Sequence, residues 1–379
     1  MTPMSRNRLV GGATVVRLVD LGPTNVPLRD RILARIGETI ERGDFANGAA
    51  VADFELHFAA FTGRLYCVGV ASGLDALRLS LLASGVGRGE RVIVPAATFA
   101  ATFEAVVQAG GTPVVVDVVD GDYTLDIGRT AEAARDASHV APVHLYGQMA
   151  DMHALARVAE TYGLQIIEDA CQAHGARRDG LAPGDAATAA AFSFYPSKNL
   201  GAMGDAGAIV TDDEELASRA RALREHGETR KYHHDYEGYT ARLDTIQAIV
   251  LQEKLPLLAH WNRQRRAAAG FYADALAGID GLRLPSESGG SESAWHLYVV
   301  RTPEPERLAS FLGERGIETG RHYPEPPHLS PAYQGLGYGP GDFPVAESLA
   351  REALSLPLYP GITEAQLEAV CEAIPAYFR

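Results

Sequence analysis

Lysine is scarce in this chain, and its scarcity narrows the chemistry. Of 34 basic residues only Lys198, Lys231 and Lys254 are lysines, the other 31 being arginines. The arginine bias itself reads as the mark of a GC-rich coding sequence, but any reaction that needs a primary amine has three candidates. Lys198 has the setting for one. It follows the aromatic run Phe192-Ser193-Phe194-Tyr195 and precedes Gly201, Gly204 and Gly207. A glycine-rich bend lets backbone or cofactor approach closely. A partly desolvated lysine gives up its proton more readily and becomes a nucleophile able to form a Schiff base.

Two other groups complement that amine. Ala71-Ser72-Gly73 lies between an apolar segment and an amphipathic one. A strand–turn–helix there offers free N–H groups and a positive dipole end to an anion, with the Ser72 hydroxyl as a further donor. The same residues also read as an N-capping serine beside a flexible glycine. Asp169 closes the apolar segment before Glu-Asp-Ala-Cys-Gln-Ala-His (168–174) and is expected to be partly buried, where a carboxylate needs a cationic or protonated partner. His174 has no second His or Cys at ligand spacing, so it reads as a hydrogen-bonded structural histidine, and no metal site is expected. An anion site, a buried carboxylate and an amine 29 residues beyond it match the needs of pyridoxal 5′-phosphate. The phosphate takes the helix start, the carboxylate keeps the ring nitrogen protonated, and the lysine binds the aldehyde carbon.

The elements that must position these groups follow from periodicity. Apolar strands are predicted at 65–70, 91–95, 112–118, 139–146, 164–170, 189–195 and 207–211. Between them fall amphipathic helices at 73–84, 98–109 and 151–162. This alternation predicts an α/β fold with a mainly parallel sheet between helices, ligands sitting outside the carboxyl ends of the strands. Before it come an arm over 1–25 and a helix over 28–42. After it come helices at 213–226 and 244–277, the latter broken near Pro256, then a strand at 296–301, a helix at 305–315, a Pro/Gly/Tyr/His-rich loop at 320–344 and a helix at 363–378. The reading is two units: an arm and large cofactor-binding domain over 1–255, and a smaller α+β domain over 256–379.

In these residues the chain resembles the DegT/DnrJ/EryC1/StrS sugar aminotransferases, of aspartate-aminotransferase fold type I. The resemblance runs from about residue 15 to the C-terminus, through ASGLDAL (71–77), PAATFAAT (95–102), HLYGQMADM (144–152), EDACQAHGA (168–176), FSFYPSKNLGAMGDAGAIVT (192–211), GYTARLDTIQA (238–248) and HYPEPPHLSPAY (322–333). It implies that Lys198 joins covalently to pyridoxal 5′-phosphate, that Asp169 pairs with the pyridine nitrogen, and that Ser72, Gly73 and Ser193 hold the phosphate. It also implies that Phe99 stacks on the ring and that Gln172 lies near the ring hydroxyl. The family is dimeric with active sites at the interface, and its GYNxRLD segment usually sends an Asn to the neighbouring phosphate; this chain has Thr240 there, a shorter donor. Tyr195, His322 and Tyr323 are expected around the sugar, with Arg230 and Lys231 as local cations. The implied activity is transfer of an amino group, from L-glutamate by way of pyridoxamine 5′-phosphate, to a nucleotide-linked keto sugar, a dTDP-keto-6-deoxyhexose or ketopentose at C3 or C4, in amino-sugar or antibiotic biosynthesis.

Composition excludes other classes. The net charge is −14, from 34 basic and 48 acidic residues, with no basic run, which disfavours nucleic acid and anionic membranes as partners. No apolar run approaches the ~18 residues of a membrane span. The first ten residues lack an apolar signal core, so the expected address is cytoplasmic. Cys67, Cys171 and Cys371 suggest neither a disulfide framework nor a zinc site. A nicotinamide dehydrogenase would need G-x-G-x-x-G after the first strand, where Gly-Val-Ala-Ser-Gly stands. A non-enzymatic regulator on the same scaffold predicts loss of the lysine or the carboxylate, and both are present. An aminotransferase for a non-sugar keto substrate is the remaining alternative.

Overall fold

A computed structural model describes residues 15–379. Its central sheet has seven strands: β1 (Tyr66–Val70), β2 (Arg91–Pro95), β3 (Thr112–Val116), β4 (His139–Val140), β5 (Gln165–Asp169), β6 (Ala189–Ser193) and β7 (Gly207–Thr211). The spatial order is β1-β7-β6-β5-β4-β2-β3. Strands β2 to β6 pair in parallel, while β7 is antiparallel to both β6 and β1. The fold is the α/β arrangement expected. The reversal at β7 matters for the site, because the chain leaving the carboxyl end of β6 re-enters the sheet at that same end. Residues 194–206, with Lys198 among them, are therefore confined to one rim. In register there, Gly207 lies between Val70 and Ser193.

Alternation along β6 sorts its side chains. Ser193 faces one way, while Phe192, and Phe194 just beyond the strand, face the helix Ala49–Thr62. Phe58 of that helix meets both rings edge-on at 5.1 Å, and Phe54 meets Phe194 at 5.4 Å. This helix was not read from the sequence, because its apolar residues encircle it instead of forming a stripe. The expected strand 139–146 stops at Val140. Pro142 has no N–H to give the ladder, and the chain then turns through Leu145–Gly147 with Tyr146 at φ 58°. The expected break near Pro256 is a short 3-10 turn, Leu255–Leu257, between the helices Thr245–Lys254 and Leu258–Ala275.

A second antiparallel pair, β8 (Tyr298–Arg301) with β9 (Ala353–Leu356), packs beneath the helices Pro305–Gly313 and Glu364–Phe378. Its core joins Tyr272, Tyr298, Leu308, Leu354, Val370 and Ile374, and Val16 from the N-terminal arm enters it through a bridge to Ile317. β9 and the helix Pro344–Glu352 were not foreseen either. The helix Leu258–Ala275 links the two cores: Leu258 packs under the sheet, and Tyr272 packs in the second cluster. Among the described residues no helix is long and apolar enough to cross a membrane.

Phe58 is fully buried at the centre of its aromatic group. Phe58→Ala is expected to destabilise the fold by about 3–5 kcal/mol, read as a lowered urea midpoint with unchanged slope. A shift worth under about 1 kcal/mol would show that the group adds little.

Candidate active site

A cavity of about 550 Å³ opens at the rim where β5, β6 and β7 meet. Of the residues singled out in the sequence, Ser72, Gly73, Phe99, Asp169, Gln172, Ser193, Tyr195, Lys198, His322 and Tyr323 all line it. Thr240, Arg230 and Lys231 do not. Arg230 and Lys231 stand exposed on the hairpin formed by Glu228–Arg230 and His233–His234, and Thr240 is exposed with its hydroxyl 3.4 Å from the His226 ring. Within one copy of the chain these three stay outside the cavity.

Asp169 ends β5 and is 6% exposed. Its Oδ2 accepts a hydrogen bond from Thr102 Oγ1 at 2.8 Å, and its Oδ1 accepts from the Cys171 N–H at 3.2 Å. Thr102 is itself paired with Thr98 at 2.7 Å. Both threonines are buried in or beside the first turn of the helix Ala100–Gln108. Among the described residues no lysine, arginine or histidine nitrogen lies within 4.0 Å of the Asp169 carboxylate. This buried charge has neutral donors and no cation.

Ser72 caps the helix Gly73–Ala83, its Oγ accepting from the Asp75 N–H at 3.0 Å. The capping reading therefore holds, and it leaves the first N–H groups of the helix, those of Gly73 and Leu74, without helical partners. The backbone is crowded at this point. A Cβ on Gly73 would lie 2.5 Å from Ser193 Cβ, and one on Gly207 would lie 2.2 Å from the Ser72 carbonyl oxygen. Glycine at both places lets a helix start, a strand end and a strand start converge on one small cradle.

Lys198 is half-buried, in a turn closed by its own N–H donating to the Tyr195 carbonyl at 2.8 Å. Burial lowers its pKa from the usual lysine value, against the opposing pull of Cys171 and Asp169. Burial likewise pushes the Cys171 thiol well up, and Asp169 adds to that. His296 lines the cavity too; burial first, then the Lys198 charge, hold its pKa well below the usual value, so it is neutral. Gln172 accepts from the Tyr146 N–H at 2.7 Å and donates to the Tyr323 hydroxyl at 3.1 Å. Tyr323 in turn lies 5.1 Å from Phe99, centroid to centroid. Gln172 thus ties the 322–323 segment to the rim beside Asp169.

Sequence reasoning missed Thr98, Thr102, Asp205, His296 and the arm residues Leu18 and Val19. A threonine one turn into a helix carries no local sign of facing a distant carboxylate. His174, expected to be hydrogen-bonded, is instead buried with no hydrogen-bond partner at its ring nitrogens; the ring rests against Phe192 and Phe194 at 5.4 and 5.7 Å, and burial takes its pKa down to about 3. Among the described residues no group of three or more His, Cys, Asp or Glu is arranged around a metal position.

Asp169 has no cation within 4.0 Å among the described residues, and the N–H groups of Gly73 and Leu74 have no helical partner. One molecule bearing a protonated ring and a phosphate answers both, and pyridoxal 5′-phosphate, the cofactor of aminotransferases, is such a molecule. The chain belongs to the DegT/DnrJ/EryC1/StrS aminotransferase family, whose profile matches residues 27–375. It is 45% identical over 362 residues, 95% of this chain and 99% of the relative, to the erythromycin biosynthesis sensory transduction protein EryC1 of Saccharopolyspora erythraea. It is 44% identical over 360 residues, 95% of both chains, to the dTDP-3-amino-3,4,6-trideoxy-alpha-D-glucose transaminase of Streptomyces venezuelae. Among solved structures, S. venezuelae DesV in complex with a ketimine intermediate superposes with TM-score 0.94 at 44% identity, over 96% of this chain and 99% of that one. The ntda protein of Bacillus subtilis with bound cofactor pmp gives TM-score 0.88 at 30% identity, over 95% and 85%.

Two measurements test this geometry. Thr102→Val removes a hydrogen bond to a carboxylate, worth about 1.5–3 kcal/mol, and should lower turnover roughly 10-fold with the protein still folded; unchanged turnover would show that the Thr102 hydroxyl does not support Asp169. In cofactor-free protein, reductive alkylation of Lys198, followed by peptide mass spectrometry across pH, should show a midpoint below the ordinary 10.5. The neutral, reactive amine then appears at lower pH than on a free lysine; a midpoint at or above 10.5 contradicts the burial argument.

Proposed function

We propose that this protein transfers an amino group from L-glutamate to the C3 ketone of a dTDP-linked deoxy sugar, with pyridoxal 5′-phosphate held by Asp169, Ser72, Gly73, Ser193 and Lys198. The observation that carries the reading is the single cavity shared by Lys198 and a buried carboxylate without a cation. The S. venezuelae relative, named for a 3-amino sugar, supports the C3 assignment. The regulatory name of the S. erythraea relative favours a non-enzymatic role, but such a role leaves no reason to keep both Lys198 and Asp169 in one cavity.

When bound, the cofactor supplies an aldehyde that exchanges amines and a cationic ring that draws electrons from the carbon next to nitrogen. Asp169 holds the proton on the ring nitrogen, and its fixed charge needs no reorganisation as the reaction proceeds. Lys198 Nζ, with its lowered pKa, takes the α-proton of glutamate and later delivers a proton to the sugar carbon that carried the ketone. The N-terminus of the helix Gly73–Ala83 and Ser193 bind the phosphate. Phe99, with Tyr323 beside it in the lining, would pack against the bound cofactor. Glutamate and keto sugar thereby become 2-oxoglutarate and amino sugar, with atoms in balance. The working unit in this reading is a cytoplasmic homodimer with shared sites, Thr240, Arg230 and Lys231 serving the neighbour. A division at residue 255/256 into a cofactor-holding unit and a smaller one belongs to the same reading, supported by the helix break at Leu255–Leu257.

The test is a product assay with 3-keto and 4-keto dTDP-sugars and glutamate. Amination of the 3-keto sugar is expected, and Lys198→Ala should abolish it, with a loss of at least about 10³-fold. Turnover of a free keto acid alone, or normal turnover in Lys198→Ala, overturns the reading.

A further inference from the structure

Lys254, the last residue of the helix Thr245–Lys254, is buried at 2% exposure and lies outside the catalytic cavity. Its Nζ donates to the Gly201 carbonyl at 2.6 Å. Among the described residues no carboxylate lies within 4.0 Å of it. The adjacent Glu253 is engaged by Arg31 and Arg35, at 2.6 and 3.0 Å. Burial, unopposed by any acid, takes the amine's pKa down to about 8. A buried ammonium costs stability, and a methionine of similar length would remove the cost. The residue therefore calls for a reason beyond packing.

The reason lies in what its partner belongs to. Gly201 ends the turn that carries Lys198. That turn is folded tightly enough that a Cβ on Gly201 would lie 2.2 Å from the Pro196 carbonyl oxygen, and the Ala202 N–H returns to the Phe194 carbonyl at 2.8 Å. Alternate residues beyond Lys198 are tied to surrounding elements. Asn199 donates to Asn262 at 3.0 Å and pairs with His296 at 3.1 Å, and the Met203 N–H donates to Gln247 at 2.9 Å. Those ties are neutral; the one on Gly201 is charged, and charge-assisted hydrogen bonds are shorter and about twice as strong. A narrow crevice behind the cavity is lined by both Lys198 and Lys254.

We propose that Lys254 is a positioning residue: its buried ammonium grips the Gly201 carbonyl and so fixes the 196–201 turn that presents Lys198 to the cavity. This rests on the reading of Lys198 as the reacting amine. A reacting group displaced by about 1 Å can lose on the order of 10²-fold in rate.

The experiment compares the full-length protein with Lys254→Met and Lys254→Arg. In cofactor-free protein, Lys254→Met should speed amide hydrogen exchange across 196–203 roughly 10-fold or more, while the helix 245–254 stays protected. With pyridoxal phosphate and glutamate, its kcat should fall roughly 10- to 100-fold with KM little changed. Its melting temperature should move by no more than a few degrees, and Lys254→Arg should recover most of the loss. Unchanged exchange over 196–203, or exchange raised evenly along the chain with a large drop in melting temperature, overturns the proposal. If Lys254→Met does not fold, Lys254→Gln, which keeps a donor without the charge, carries the same expectations. Borohydride reduction of the wild type with pyridoxal phosphate separates the two readings: labelling that misses Lys198 sinks the underlying one, and the exchange result decides the role of Lys254 independently.

Discussion

A carboxylate that is buried and has no cation of its own is the constraint on which this site turns. Asp169 is held by a threonine hydroxyl and a backbone amide, both neutral. Such donors orient the carboxylate and add no positive charge, which leaves it free to pair with a cation that enters the cavity. The sheet permits the arrangement because Asp169 stands at a strand end. Its backbone N–H is bonded to Pro142 and its carbonyl to the His144 N–H, and its side chain clears the last rung toward the rim.

The same rim explains why residues so far apart in sequence meet. Parallel strands send their carboxyl ends to one edge, delivering Asp169, Ser193 and the turn before Phe99. The antiparallel β7 returns the chain to that edge, and with it comes Lys198. Close packing at the cradle then demands residues without a Cβ at Gly73 and Gly207. Lys198 stands on an irregular segment, so it depends on outside anchors in a way that Asp169, fixed by its strand, does not.

Much of this was legible beforehand, and for a physical reason. Strand-end positions are marked by where apolar runs stop, so Ser72 and Asp169 announced themselves by spacing, Lys198 by the scarcity of lysine and the glycines after it, and Ser193 only through the family resemblance. Contacts that depend on a helix's rotation about its axis carried no such mark, so Thr98 and Thr102 were silent. Pro142, in plain view, should have shortened the strand over 139–146. The helix Ala49–Thr62 was missed because apolar residues such as Leu56 and Phe61 stand on its exposed face as well as its buried one, which erases the periodic signal on which an amphipathic reading depends. Arg230, Lys231 and Thr240 carry charge or a donor in the segment after the site residues, but the hairpin and bridge that hold them leave all three out of the lining of this chain's own cavity.

That last mismatch has an electrostatic consequence. The cavity lining contains Asp169 and Asp205 against Lys198 and two histidines, His296 and His322, both with pKa values lowered first by burial, and it contains no arginine. A sugar nucleotide brings a diphosphate, and a chain with net charge −14 repels such a ligand at long range. The lining of a single copy offers such a ligand no arginine. Arg230 and Lys231, exposed on a short hairpin, have no acidic partner within 4.0 Å among the described residues. Exposed apolar side chains also lie along the N-terminal helices, with Val26, Leu33 and Ile40 each more than half exposed. The exposed apolar side chains and the exposed Arg230 and Lys231 both accord with the proposal that a second copy supplies the outer wall of the site. Charge thus supports the proposed shared-site homodimer alongside family likeness: in that proposal one chain would hold the cofactor's ring and phosphate, and its neighbour would bring positive charge toward the substrate's diphosphate.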